Sequence, residues 1–438
     1  MSNPPAESAP GTAAAHGHGT TAGIEPGPSP SVRSGVEPTP RRILVTPPST
    51  PVPQAKSSMA RTTIDLGDLE DLSILNERGE ADAALDPDLG DDELRQVHRA
   101  MVLTRKLDIR MLTMQRQGEM GTFAPGLGQE ATQIGQVYPL AKSDWYAPSY
   151  RSFGAQLWRG WAIDQLLLLW DGFHAGFAPP EGVNDLPFSI VIGSHVPLAT
   201  GVAMAMRNTG DKSVMLTNFG DGAFSQGIVA ESLNFAAVYK APIVFVVENN
   251  GWAISTPIEK QSGVMELARR APGYGIPAIR VDGNDILAMI VAATRAVEHA
   301  RSGAGPFLIE AVTYRMSLHT TADDPKVYRK DDEVKAWEAR CPIARFETYL
   351  KRKGLLDDEL IQRIAAECEQ QVLDGRESFR RKAKADPREV FDFVYEQLPP
   401  ELEEQKAEYF RKLDRKGVDQ ARMNHRGTED TENSLRRD

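Results

Sequence analysis

Two short apolar runs without proline, Val214 to Phe219 and Ile243 to Val247, constrain this chain more than any other feature. Each is too short for a globular helix and suits a strand buried on both faces. Between them Val229, Leu233, Ala236 and Ala237 fall at helical spacing. A strand, a helix and a second strand in that order make a parallel pair, because parallel neighbours need a crossover of a dozen or more residues. The alternation extends in both directions. Ser189 to Ile192, β-branched and apolar, reads as a preceding strand, and Val196 to Met206 as a helix. Ala278 to Val281 and Phe307 to Thr313 read as further strands around a helix from Ile286 to Arg301. The predicted fold class is α/β, a mostly parallel sheet with helices on both faces.

Upstream, Leu94, Val97, Met101, Leu107, Met111 and Met114 recur at near-helical intervals and predict a helix from Asp91 to Gln117. Asp91 and Asp92 favour its start, and Gly118 fits its end. Residues 1–58 are read as a disordered extension, because 12 of the 30 prolines fall before residue 54 and deny it helix or sheet ladders. Few acids and the Arg41-Arg42 pair suggest a mitochondrial transit peptide instead, but the proline density opposes the amphipathic helix such a peptide needs. Residues 59–335 form the predicted ligand-binding α/β domain with its N-terminal helical segment, and 336–438 a charged helical tail, frayed over its last 20 residues.

The chemistry sits at the ends of the two defining strands. Gly220-Asp221-Gly222-Ala223 follows the first, and Asn249-Asn250 ends the second. Parallel strands bring Asp221 and Asn250 to one carboxyl edge of the sheet, where open α/β folds bind ligands. A carboxylate and an amide oxygen suit a hard cation such as Mg²⁺, which commonly keeps phosphate oxygens among its ligands, so a diphosphate completes the set. Gly220 and Gly222 let backbone approach that diphosphate closely. A dinucleotide fingerprint begins the same way, but its third glycine is replaced by Ser225. An ordinary strand-to-helix turn is the plainer alternative.

A Gly-Asp-Gly triplet followed one strand–helix–strand unit later by Asn-Asn resembles the cofactor motif of thiamine diphosphate enzymes. Gly121-Thr122-Phe123-Ala124-Pro125 and Gly128-Gln129-Glu130-Ala131 narrow the likeness, as do Tyr150-Arg151, Pro197-Leu198-Ala199-Thr200 and Tyr274-Gly275-Ile276. Arg280 to Asp285 and the stretch from Tyr314-Arg315 to Tyr328-Arg329 complete it. Over residues 70–410 the chain is similar to the alpha subunits of the decarboxylating first component of two-subunit 2-oxo-acid dehydrogenase complexes. Gly121 to Ala131 and His319 to Pro325 look closer to pyruvate enzymes of Gram-positive type than to branched-chain ones.

The resemblance implies a thiamine-diphosphate-binding fold and a role for each matching position. Asp221 and Asn250 are implied as Mg²⁺ ligands, with the main-chain carbonyl of Trp252. Gly222 and Ala223 contact the diphosphate through backbone, and Tyr150 and Arg151 reach its oxygens. Val196 and Leu198 belong to the cofactor-contacting run, Leu198 offering backbone to the aminopyrimidine. Arg315 and His319 are implied as catalytic, facing the diphosphate and the reacting ring, within a loop from Thr320 to Arg329 that orders over the cofactor. The glutamate that activates the cofactor comes from a separate beta subunit in this family, so the chain is expected to hold half of each site. An α₂β₂ heterotetramer on a lipoyl acyltransferase core is the expected assembly, acting on a small 2-oxo acid.

Some positions depart from the pattern. Glu248 stands where branched-chain relatives carry an arginine near the phosphates. Thr320 and Lys330 replace the regulatory serines of animal relatives, which argues against a mitochondrial-type kinase and for a bacterial origin. Plainer readings also stand beside the functional ones: Arg151 as a surface cation, His319 as a loop histidine, His195 as structural. Asp323 and Asp324, beside Pro325, are expected to stabilise a turn and not to bind a second metal.

Composition removes other classes. A net charge of −11 opposes a nucleic-acid binder and gives no support for docking on anionic membranes. Apolar stretches such as Leu166 to Trp170 are far short of the roughly 20 residues of a bilayer span, and no secretory h-region opens the chain. Two cysteines, Cys341 and Cys368, make no disulfide framework or zinc site and fit a reducing compartment, here a bacterial cytoplasm. The expected activity is pyruvate dehydrogenase (acetyl-transferring). Branched-chain 2-oxo-acid dehydrogenase, acetoin cleavage and a cofactor-free scaffold are the alternatives.

Overall fold

Successive side chains along a strand point to opposite faces of its sheet, and here each face covers its own core. The computed structural model describes residues 68–384, 387–392 and 395–415, within a unit running from Met59 to Asp438. The predicted extension 1–58 and the last 20 residues lie outside the described residues. In chain order the strands are β1 (Glu70–Leu72), β2 (Trp145–Ala147), β3 (Asn184–Asp185), β4 (Met215–Gly220), β5 (Ile243–Asn249), β6 (Trp252–Ala253), β7 (Thr256–Pro257), β8 (Ala278–Asp282) and β9 (Phe307–Val312). Seven of them form one sheet in the order β1-β8-β9-β5-β4-β2-β3, with every neighbouring pair parallel. The remaining two, β6 and β7, form a small antiparallel hairpin.

The helices are α1 (Asp91–Arg116), α2 (Glu130–Val137), α3 (Phe153–Trp158), α4 (Ile163–Trp170), α5 (His195–Thr209), α6 (Asp221–Phe224), α7 (Gly227–Tyr239), α8 (Ile286–Arg301), α9 (Asp331–Glu338), α10 (Pro342–Arg352) and α11 (Asp358–Lys382). Val244 and Val246 of β5 join one core with residues of α1, α2, α8, α10 and α11, while Ile243, Phe245 and Val247 join the other with α5 and α7. Both sheet faces are therefore covered, which is why β5 is apolar at five consecutive positions. Each such buried side chain contributes about 1.5–3 kcal/mol. Asp285 starts α8 by accepting from the backbone N–H groups of Leu287 and Ala288, and its second oxygen accepts from Ile74 and Leu75 at 2.6 Å, which ties the helix to the chain after β1.

The expected strands at 214–219, 243–247, 278–281 and 307–313 and the helices at 91–117, 196–206 and 286–301 are all present, to within a few residues. One prediction fails. Ser189 to Ile192 is not a strand but a surface loop, with Val191 69% exposed and Ile190 60%. The neighbouring place in the sheet is taken by the two-residue β3. The charged tail is helical as expected, but it is not peripheral. Phe346, Tyr349 and Leu350 of α10 and Ile364 and Cys368 of α11 pack into the same core as the sheet.

Candidate active site

Strand order positions the site. The chain leaves β2 for the outer neighbour β3, and leaves β4 in the opposite direction for β5, so the adjacent pair β2 and β4 forms a topological switch point. A crevice opens at the carboxyl ends of strands at such a point. The cavity found there has a volume of about 210 Å³. Ser149, Tyr150 and Arg151 reach it after β2, Gly220 to Ala223 after β4, Glu248 and Asn250 from the end of β5, and His319 from the loop after β9. Trp252, Ala253 and Ile254 of the hairpin form a further wall. Ile254, a β-branched residue at φ 55, sits in the sparsely populated left-handed region, a departure typical of functional loops.

The metal-type donors are oxygen atoms throughout. Asp221 is buried at the start of α6, and burial raises its pKa against a hydrogen bond from Gln261 Nε2 at 3.0 Å to Oδ2. Asn250 Oδ1 accepts from the backbone N–H of Trp252 at 3.3 Å, and its Nδ2 donates to Gln129 Oε1 at 3.3 Å. The Trp252 carbonyl accepts from Arg315 Nη1 at 3.3 Å and keeps a second lone pair. A buried carboxylate, an amide and a main-chain carbonyl from three residues that line one cavity fit a hard divalent cation with an anionic co-ligand. A Cβ at Gly222 would stand 2.8 Å from the Ala253 Cβ, so glycine is what lets the loop after β4 approach the hairpin.

Arg151 is buried and bridges two loops. Its Nη1 donates to the Pro125 carbonyl, and its Nη2 donates to the His319 carbonyl at 3.0 Å. Arg315 is buried behind His319. Its Nη2 donates to the Ile254 carbonyl and to Tyr328 Oη, both at 2.7 Å, and burial followed by the charge of Arg151 lowers its pKa to about 10. The Tyr150 ring meets the His319 imidazole edge-on. Asp323 Oδ2 accepts from the His319 backbone N–H at 2.8 Å and from Tyr328 Oη, while Asp324 accepts from Lys326 N–H, so the acidic pair shapes the loop as expected.

Of the residues singled out from sequence, Tyr150, Arg151, Asp221, Gly222, Ala223, Asn250, Trp252 and His319 line this one cavity. Arg315 touches it only through its partners. Val196 and Leu198 do not line it: Val196 is buried in the core under α5, and the Leu198 side chain is 63% exposed on the same helix. His195 is buried with Nε2 2.9 Å from the Asn218 carbonyl, a structural contact, although it also borders the cavity. Glu248 does place a carboxyl where a cation was doubted. Its Oε1 accepts from Gln136 Nε2 at 2.9 Å and Asn218 Nδ2 at 2.7 Å, and burial raises its pKa against those bonds. Gln129, Gln261 and Tyr328 carry no role in the sequence reading; Gln129 and Gln261 act through partners 121 and 40 residues away, and Tyr328 through Arg315 and Asp323 of its own loop.

Comparison with known proteins places this geometry in a family. The model of the dehydrogenase E1 component family matches residues 98–388. The pyruvate dehydrogenase E1 component subunit alpha of Acholeplasma laidlawii is 42% identical over 332 residues, covering 75% of this chain and 96% of the relative. That of Bacillus cereus is 41% identical over 339 residues, covering 77% and 91%. The 3-methyl-2-oxobutanoate dehydrogenase subunit alpha of Mycobacterium tuberculosis is 41% identical over 341 residues, covering 77% and 93%.

Proposed function

The chain belongs to the dehydrogenase E1 component family, and from that premise we propose that it is the alpha subunit of a pyruvate dehydrogenase. The family is one of thiamine-diphosphate-dependent 2-oxo-acid dehydrogenases, and an alpha subunit implies a beta partner within a larger complex. The observation that carries the reading is the convergence of Asp221, Asn250 and Trp252 with Arg151 and His319 on one cavity.

In this reading the Asp221 and Asn250 side chains and the Trp252 carbonyl hold Mg²⁺, whose charge neutralises the diphosphate. Gly222 and Ala223 offer backbone to that diphosphate, and Tyr150 and Arg151 reach its oxygens. Leu198, exposed on the first turns of α5 outside the cavity, would offer backbone to the aminopyrimidine, while Val196, buried in the core, takes no part. When bound, thiamine diphosphate supplies an electron sink for the carbanion left by decarboxylation. His319 supplies a proton donor at the reacting ring, and Arg315 fixes its orientation.

The beta subunit is proposed to cover the cavity mouth, contribute the activating carboxylate and complete an α₂β₂ heterotetramer that docks on a lipoyl acyltransferase core. Ile190, Val191, Ile192, Leu198 and Ile254 are exposed, and Val191, Ile192 and Ile254 line the cavity itself. Apolar groups grouped at a site entrance in this way suit a protein partner. The free thiols Cys341 and Cys368 are in keeping with the proposed setting, a bacterial cytoplasm.

A branched-chain substrate is the second reading, favoured by the Mycobacterium tuberculosis relative. The deciding experiment measures kcat/KM of the assembled heterotetramer for pyruvate and for 3-methyl-2-oxobutanoate, with a lipoyl acceptor. Pyruvate is expected to be the better substrate. The opposite preference replaces this reading with the branched-chain one, and acetoin cleavage without 2-oxo-acid turnover displaces both.

A further inference from the structure

We propose that Gln129 is a positioning residue that aims the Asn250 amide at the metal, an inference that rests on the metal-site reading above. An asparagine amide has two ends, and only the oxygen can ligate a cation. Asn250 is buried, and its amide has two protein partners: the Trp252 N–H, which donates to Oδ1, and Gln129 Oε1, which accepts from Nδ2, each at 3.3 Å. Turning the amide over would set Nδ2 against the Trp252 N–H, donor against donor. It would also set Oδ1 against the Gln129 oxygen, acceptor against acceptor. The present arrangement keeps Oδ1 on the side of the 250–252 turn, whose residues Asn250 and Trp252 both line the cavity.

Gln129 is held so that it can do this. Its backbone N–H donates to the Gly126 carbonyl, and its own carbonyl accepts from Gln133 N–H at the start of α2. At the preceding Gly128, φ +92, a Cβ would stand 2.6 Å from Met316 Sδ, so the chain is clamped against the segment after β9. Helix α2 lies on the sheet face from which Glu248 and Asn250 project, as the bond from Gln136 to Glu248 shows. The other end of the Gln129 amide is spent on nothing: Nε2 is buried without a hydrogen-bond partner. A buried donor left unpaired is costly. Only its acceptor is used, and the acceptor meets Asn250.

Partners that orient a metal ligand typically carry roughly 10- to 100-fold of metal affinity. The test uses the assembled heterotetramer with thiamine diphosphate and follows Mn²⁺ binding by electron paramagnetic resonance, with thermal melting as the folding control. Gln129→Met removes the acceptor at similar length and is expected to weaken Mn²⁺ binding by roughly 10- to 100-fold. Gln129→Glu keeps the acceptor and discards the orphaned donor, and is expected to bind close to wild type. Should the methionine variant not assemble, Gln129→Ala carries the same comparison. Asp221→Ala is the reference arm. If it too binds normally, the metal-site reading itself is wrong. If Asp221→Ala binds poorly while Gln129→Met binds normally, the positioning role is overturned and the metal site stands. A glutamate variant as weak as the methionine variant also overturns it, because the acceptor would then not be what matters.

Discussion

Nη1 of Arg315 lies 3.2 Å from Nδ1 of His319, within one short loop entry. A guanidinium has donors only, so Nδ1 must accept and the ring proton must sit on Nε2. Arg151 Nη2, also 3.2 Å from Nδ1, makes the same demand. Burial first, then the two guanidinium charges, lower the His319 pKa to about 4. The imidazole is therefore neutral near pH 7, with a single N–H left to donate.

This arrangement makes His319→Ala a clean removal of a proton donor. The variant is expected to assemble and bind cofactor, while overall acyl-CoA formation falls by at least roughly a hundredfold. Transfer to the lipoyl domain should suffer more than decarboxylation, because transfer needs the extra proton. Measuring both half-reactions, one with a dye acceptor and one with a lipoyl domain, decides it. Wild-type rates in both would leave His319 a loop histidine.

For the metal, Asp221→Ala removes an anionic ligand and Asn250→Ala a neutral one. Both are expected to weaken Mg-cofactor binding in the assembled protein. The loss at Asp221 should be the larger, beyond the roughly 10- to 100-fold of an outer partner. Calorimetric titration reads both. Equal affinity for wild type and Asp221→Ala would remove Asp221 from the site.

Asp108 of α1 supplies a pH dependence. It is fully buried, and desolvation first, then the neighbouring Glu130, raise its pKa to about 7. Arg105 offsets this only slightly, because Nε and Nη2 of that guanidinium grip Glu130 at 2.8 and 2.7 Å. A carboxyl whose folded pKa is raised adds stability that is full below its unfolded pKa of about 3.8 and is lost as pH rises through about 7. The isosteric amide introduced by Asp108→Asn cannot ionise and can still accept from Gly126 N–H. The midpoint of thermal melting should therefore fall less between pH 5 and 8 in Asp108→Asn than in wild type. Parallel pH profiles would show that Asp108 does not titrate in this range.

Where local pattern reports burial, the sequence was readable. Helix α8 matches its predicted span from Ile286 to Arg301, because Asp285 caps it and alanines fill its packed face. Strands β4 and β5 announced themselves by apolar runs, and the Asp221–Asn250 pairing followed from one crossover. Strands β1, β2 and β3 have two or three residues each, too few for any period. Ser189 to Ile192 misled for a related reason: an apolar β-branched run looks the same whether it lies in a sheet or in an exposed loop. The Gln129–Asn250 bond spans 121 residues, and the Arg151–His319 bond 168, and no spacing rule reaches across such separations.

We propose that this chain holds the Mg-diphosphate half of a shared site, with the carboxylate that activates the cofactor supplied by its partner. The most direct measurement assays 2-oxo-acid turnover by the purified chain with Mg²⁺, thiamine diphosphate and a dye acceptor, before and after adding the beta subunit. No turnover is expected from the chain alone, and activity on adding its partner. Robust turnover by the chain alone would contradict the proposal.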